Sequence, residues 1–448
     1  MNTNIDFIKG NTKKCLAAMV LPMMAAMFLN MAYNLVDSLW IGNLLGETAY
    51  AALTNSTPII LILSAIAMGA TNGVSILLSQ AIGANDREKA DRIIVTSLGV
   101  AIIFSLGVTV LLEATLKSIL VLLNTPNEIM QPAYQYLSIY TLGYLSVYLY
   151  CYFTAVLRSF GNSIFQVIAM LICTILNAGL DPLFIRFMGF NGAAVATVLS
   201  QTLCLVFMLI YLHKKRFFNL CFSLFDKCLI SSFIAKGIPS AFQQSIPAIS
   251  ASFLTSLVTG YGVSALAAYG IAGKLETILF YPAMALNMAL TSIVGQCVGG
   301  KRYDRAKDYI KTSLVFGSIV LFIFSVCVVC FSDSLSRLLV DSDAAAAIVG
   351  DYFKIVGVGY VLNTVTNCFL GSLNGMGRPA KSMLCMALYY MIIRMPLAWI
   401  LSHCNFGING IWIAVLISHV IAAIAATAIA NHELFKQERI SGNSEKNE

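Results

Sequence analysis

The chain has 448 residues, of which 58% are hydrophobic and 11% charged. Soluble globular chains carry about 25% charged residues, so a soluble domain is excluded and a polytopic membrane protein is expected. The net charge of +7 could suit nucleic acid. However, the basic residues fall in short loops between apolar runs, and no RNP, zinc-finger or basic-helix pattern is present. The bilayer is therefore an expected partner and nucleic acid is not.

The first apolar run lasts about 27 residues without a small-residue cleavage site, which reads as a membrane span rather than a cleaved leader. Twelve helical spans follow one another along the chain. They lie at roughly 17–42, 51–82, 93–115, 134–156, 163–186, 191–212, 238–259, 264–297, 309–331, 350–373, 381–402 and 408–430. Each is long enough to cross a hydrocarbon core of about 30 Å. Most Lys and Arg lie at the N-terminus, in the 83–92 and 298–311 loops, in the 213–237 linker and in the C-terminal tail. Glu47, Glu128, Asp333, Asp341, Asp343 and Asp351 mark the other side, so both termini are expected to be cytoplasmic.

The chain also repeats itself. Gln80-Ala-Ile-Gly83-Ala84 matches Gln296-Cys-Val-Gly299-Gly300, and Leu157…Gly161 matches Leu373…Gly377, both at an offset of 216. Asn191-Gly192 pairs with Asn409-Gly410 after a small drift. The predicted fold is all-α, with twelve transmembrane helices in two parallel six-helix repeats, an N-lobe and a C-lobe, around a central cleft. The expected divisions are 1–212, a cytoplasmic linker at 213–237, 238–430 and a cytoplasmic tail at 431–448. Phe217, Phe218, Phe222 and Phe225 among basic residues suggest that the linker lies on the membrane surface. Two parallel bundles are transporter architecture.

Ionisable residues within the spans are few: Asp37, Asp181, Lys274, Glu276 and Arg394, with Glu113 near a helix end. A charge at the centre of a membrane helix costs about 2.5–3.5 kcal/mol or more. Asn177 and Asp181 are four residues apart and share a helix face, and Pro182 removes a backbone donor beside them. Counting depth along each span brings Asp37, Asn177, Asp181 and Thr197 to the same half of the N-terminal bundle. An oxygen-rich spot of this kind suits a proton or a small hard cation. If sodium is the ion, Asp37, Asn177 and Asp181 are its expected ligands. The competing reading is a structural polar network. Glu276 lies near the middle of its span and either pairs with Arg394 or meets a cationic substrate.

Other patterns carry less. Cys327 and Cys330 form a CxxC inside an apolar run, with no second pair and no nearby His, and read as small buried hydrophobes. Gly295…Gly299-Gly300-Lys301 fits GxxxxGK, but Arg302 stands where Ser or Thr should bind magnesium and a helix precedes it. ATP is therefore not expected, and an ion gradient is the expected energy source.

Several stretches resemble the multidrug and toxic compound extrusion (MATE) family, in particular its bacterial MepA- and DinF-like members. They are Pro22 with Val36-Asp37-Ser38 and Ile41-Gly42, Leu176-Asn177 with Leu180-Asp181-Pro182-Leu183-Phe184, Val294-Gly295-Gln296, and Leu373-Asn374-Gly375-Met376-Gly377. The resemblance spans nearly the whole chain. It implies a non-enzymatic antiporter that exports cationic or amphipathic small-molecule drugs against H+ or Na+ by alternating access, with no cofactor besides the coupling ion. It also implies cation coupling at Asp37, Asn177, Asp181 and Thr197 and a hinge at Pro22. Apart from the resemblance, the depth of the embedded charges makes Glu276 and Arg394 the expected substrate-binding residues, and a monomer is expected. Pro247 and Asn363 stand where NorM-like members carry acidic residues, so a C-terminal cation site is not expected. The alternative is a flippase for a lipid-linked oligosaccharide or another amphipathic lipid. That function would want more embedded Lys and Arg than Lys274 and Arg394. A membrane enzyme would want clustered His, which His213, His403, His419 and His432 do not form in sequence.

Overall fold

In the computed structural model the described residues are 5–123, 125–215, 224–332, 334, 337, 343–404 and 406–444. Phe217, Phe218 and Phe222 of the expected surface segment, together with Asp333 and Asp341, lie outside them.

Apolar runs without competing backbone partners satisfy their amides within helices, and the described chain is helical almost throughout. In order the helices are α1 (Thr12–Leu45), α2 (Glu47–Gly83), α3 (Arg87–Leu122), α4 (Asn127–Leu142), α5 (Tyr144–Ser159), α6 (Ile164–Met188) and α7 (Phe190–Lys215). They continue with α8 (Cys228–Thr259), α9 (Val263–Gly299), α10 (Tyr303–Cys330), α11 (Asp343–Val356), α12 (Gly359–Gly375) and α13 (Pro379–Ala387). A π-helical segment, Leu388–Arg394, joins α13 to α14 (Met395–Ser402), and α15 (Ile408–Ser444) ends the described chain.

Among the described residues nine helices are long and apolar enough to cross a membrane, or eleven when each bent pair counts as one span. The bent pairs are α4 with α5, at 48°, and α11 with α12, at 53°. The breaks fall at Gly143 and just before Gly359, which are repeat-equivalent. The expected span at 238–259 lies in α8, which is 32 residues long but diluted by Lys236, Gln243, Gln244 and several serines.

Three boundaries differ from expectation. The helices flanking the linker are longer than expected, because α7 runs to Lys215 and α8 already starts at Cys228. The expected tail from 431 continues α15 to Ser444. In each case polar residues extend a helix beyond its apolar window, because backbone hydrogen bonding does not stop where hydropathy does.

The chain forms two compact units. One comprises Leu21–Leu78 and Asp86–Gly237; the other comprises Ile5–Val20, Ser79–Asn85 and Ile238 onward. Helix α1 changes unit between Val20 and Leu21, one residue before Pro22. In the first unit Tyr136 stacks on Phe190 at 4.8 Å beside Ile41, Leu53 and Ile185. In the second, Trp412 stacks on Tyr269 at 5.7 Å and meets Tyr352 edge-on at 4.8 Å. The repeat recurs in the packing. A Cβ at Gly192 would stand 2.1 Å from the Phe184 carbonyl oxygen, and one at Gly410 would stand 2.4 Å from that of Leu401. In both halves the sixth span therefore touches the backbone of the fifth.

Candidate functional site

That backbone contact brings α7 against α6 and carries Thr197 toward Asn177 and Asp181. Asn177 and Asp181, one turn apart on α6, are both fully buried, and Asn177 Nδ2 donates to Asp181 Oδ1 at 2.9 Å. From α1, the Asp37 carboxyl lies against that of Asp181, close enough to share a hydrogen bond through one proton. Tyr33, one turn before Asp37, brings its hydroxyl beside Thr197 and Ser200. Tyr136 of α4, buried beside Ile41 and Ile185, lies within electrostatic reach of both aspartates. The four residues expected from depth counting are thus together, within one unit.

The cluster leaves several polar atoms unpaired. Tyr33 OH, Asp37 Oδ1, Asn177 Oδ1, Asp181 Oδ2 and Thr197 Oγ1 are all buried without a hydrogen bond of ordinary geometry. An unpaired buried acceptor costs about 1–3 kcal/mol, and more when it is charged. Two neighbouring carboxylates in a low-dielectric setting repel each other, and a proton or cation between them relieves both costs. No basic side chain forms an ion pair with either aspartate among the described residues. The donor set is all oxygen, and no three His, Cys, Asp or Glu side chains converge among the described residues. Such a set fits a proton or a hard monovalent ion rather than a thiophilic metal.

Glu276 and Arg394 meet elsewhere, in the second unit. Both line a cavity of about 410 Å³ with Tyr269, Phe280, Tyr390 and Pro247. They do not form the ion pair considered from sequence. Glu276 Oε1 accepts from Tyr352 OH at 2.8 Å. Arg394 Nε donates to Ser418 Oγ at 2.9 Å and Nη2 donates to Tyr389 OH at 2.6 Å. Its guanidinium also lies over the rings of Tyr389 and Tyr390, at 4.6 and 4.5 Å. Because Arg394 can only donate, the Tyr389 oxygen accepts from it and sends its single proton to His419 Nδ1, 2.6 Å away. His419 is fully buried. Lys274, two residues before Glu276, is exposed and is not among the cavity's lining. Pro22 sits inside α1, away from both sites in sequence, at the point where the helix passes between units.

Sequence reasoning missed Tyr33, Tyr136, Tyr389 and His419. Tyr33 carried a signal, its one-turn spacing from Asp37. The other three reach their partners only through tertiary packing.

The same architecture and motif order occur in known proteins. The MatE family model matches residues 22–183 and again 239–400, once per repeat. The chain is 28% identical over 435 residues to the probable multidrug resistance protein YpnP of Bacillus subtilis, covering 94% of this chain and 95% of that one. It is 24% identical over 430 residues to the multidrug export protein MepA of Staphylococcus aureus, covering 94% of each. A solved structure described as the outward-facing conformation of a multidrug resistance MATE family transporter superposes with a TM-score of 0.91 at 23% identity, over 97% of this chain and 98% of that chain. That likeness establishes the shared fold.

Proposed function

The chain belongs to the MatE family, and on that premise we propose that this multi-pass membrane transporter exports cationic and amphipathic small molecules in exchange for H+ or Na+. The buried oxygen cluster around Asp37 and Asp181 carries the reading. It holds two carboxyl groups, several unpaired acceptors and no basic partner, so its charge balance depends on an ion that comes and goes. When one such ion is bound, the pair carries a single negative charge instead of two, and tolerates seclusion from water better. When it leaves, two like charges are exposed to each other, and that state is stable only where water reaches them. Ion occupancy is thereby tied to which side is open, which is the requirement for alternating access. Asn177 orients Asp181, Thr197 and Tyr33 supply neutral oxygens, and Pro22 is the flexure in α1. We place the transported molecule in the cavity of Glu276 and Arg394, both termini in the cytoplasm, and the working unit as one chain.

The test is efflux of a fluorescent cation from proteoliposomes, with a pH gradient and a sodium gradient imposed separately. One of the gradients should drive efflux, and an ionophore that collapses it should stop efflux. Efflux that responds to neither gradient rejects the antiport.

A further inference from the structure

The face of α6 that carries Asp181 and Asn177 continues toward the start of the helix with Cys173 and then Met170, at spacings of four and three residues. On α7 the face that carries Thr197 continues with Ser200 and then Cys204, at spacings of three and four. Sulphur therefore replaces oxygen one turn away from the aspartates, on both helices. Cys173 and Cys204 are free thiols, each within hydrogen-bond reach of the other. Cys204 Sγ donates to the carbonyl oxygen of Ala169, the residue before Met170, at 3.0 Å. Cys173 Sγ makes only a long contact of 4.0 Å with Ser200 Oγ. The Met170 thioether accepts from Tyr150 OH at 3.6 Å and from Asn30 Nδ2 at 4.0 Å. Tyr150 also lies within electrostatic reach of both thiols, so one hydroxyl has all three sulphurs around it. Met170, Cys173 and Cys204 are buried, at 5%, 3% and 0% exposure, and belong to the same unit.

We propose that Met170, Cys173 and Cys204 form a binding site for a soft monovalent cation of the Cu(I) or Ag(I) class. Thiolate and thioether sulphur select such ions over hard ones, which favour the oxygens one turn away. The charge balance suits a buried place. The Cys173 S–H bond breaks, its proton leaves to water, and a sulphur–metal bond forms, so one positive charge replaces another. Cys204, whose proton is engaged by the Ala169 carbonyl, and Met170 contribute as neutral donors. Two cysteines that merely pack α6 against α7 would have no use for a thioether beside them and would hold no metal against a competing chelator.

The test uses the full-length protein in nanodiscs. Cys228, Cys327, Cys330 and Cys404 are exposed; with Cys221 they are replaced by serine to remove competing thiols. Cu(I) is supplied under nitrogen as its bicinchoninate complex, whose colour fades as the protein takes the metal. Uptake should reach about one ion per chain. Cys173→Ser and Cys204→Ser should each abolish it. Met170→Leu conserves volume and should keep the stoichiometry while weakening affinity about ten- to a hundredfold. Excess Zn2+ should not displace the copper, because zinc prefers four donors in a tetrahedron. No uptake, uptake unchanged in either cysteine variant, unchanged affinity in Met170→Leu, or displacement by zinc overturns the proposal. Should the serine variants fail to fold, X-ray absorption at the copper edge of the loaded protein decides. Sulphur neighbours alone support the site, and nitrogen or oxygen neighbours overturn it.

Discussion

Gly83 lies so close to Gln296 that a Cβ on it would stand 1.9 Å from the Gln296 carbonyl oxygen, and Gly299 faces Gln80 in the same way, at 2.0 Å. The two contacts are exchanged when each residue is replaced by its partner 216 positions away. Such reciprocity is the signature of two-fold symmetry. It shows that the ends of α2 and α9 cross at backbone contact, which only glycine permits.

Gly83→Ala should therefore be disruptive. The obstacle is a backbone carbonyl, which cannot rotate away as a side chain would. Overpacking of this kind costs about 1–3 kcal/mol. Gly107→Ala, where nothing lies within 4 Å of the added atom, is the matched control. A thermal melt of purified protein should fall for the first and hold for the second. Equal melting temperatures would contradict the close crossing.

Asp37→Asn and Asp181→Asn should each abolish gradient-driven export while leaving a folded, inserted protein. Each change removes one of two facing carboxyl groups and keeps the shape. Melting temperature should hold or rise, since repulsion between buried acids is relieved. Efflux and melting measured on one preparation check both halves. Near-normal efflux by well-folded Asp181→Asn would remove the pair from the coupling role.

Pro22→Ala should slow turnover more than it weakens substrate binding. The proline lacks the N–H that would close the helical ladder, and α1 passes from one unit to the other beside it. Restoring the amide stiffens that point without touching the oxygen cluster. Equal losses in binding and efflux, or no loss in either, would reject the flexure.

Glu276→Gln should lower affinity for cationic substrates by about tenfold and spare neutral ones, the scale of one charge–charge contact in a partly desolvated cavity. Because Arg394 is held by Ser418 and Tyr389 rather than by Glu276, the variant should melt normally. A marked drop in melting temperature would mean that the two charges support each other after all.

Much of this molecule was legible before any coordinate. The spans followed from hydropathy because the bilayer admits little but helices and hydrogen-bonds every amide internally. The repeats followed from identical residues at a fixed offset, and Asn177 with Asp181 from one-turn spacing. Counting 1.5 Å per residue from the membrane faces set Asp37 and Thr197 at a matching depth, because a straight helix converts sequence distance into height. Other features depended on what neighbouring helices do. Helix geometry conveys height and local face but not which helices are adjacent. The approach of Tyr136 to the neighbourhood of the aspartates was therefore invisible, as was the chain from Arg394 through Tyr389 to His419, which joins residues 25 and 30 positions apart. The Glu276–Arg394 pairing failed for the same reason. Both residues reach one cavity, but the π-helical segment turns the guanidinium onto Tyr389, Tyr390 and Ser418 instead. Local periodicity and the cost of burying charge were written in the sequence; the choice of partner for each buried charge was made by the packing of helices that are distant along the chain.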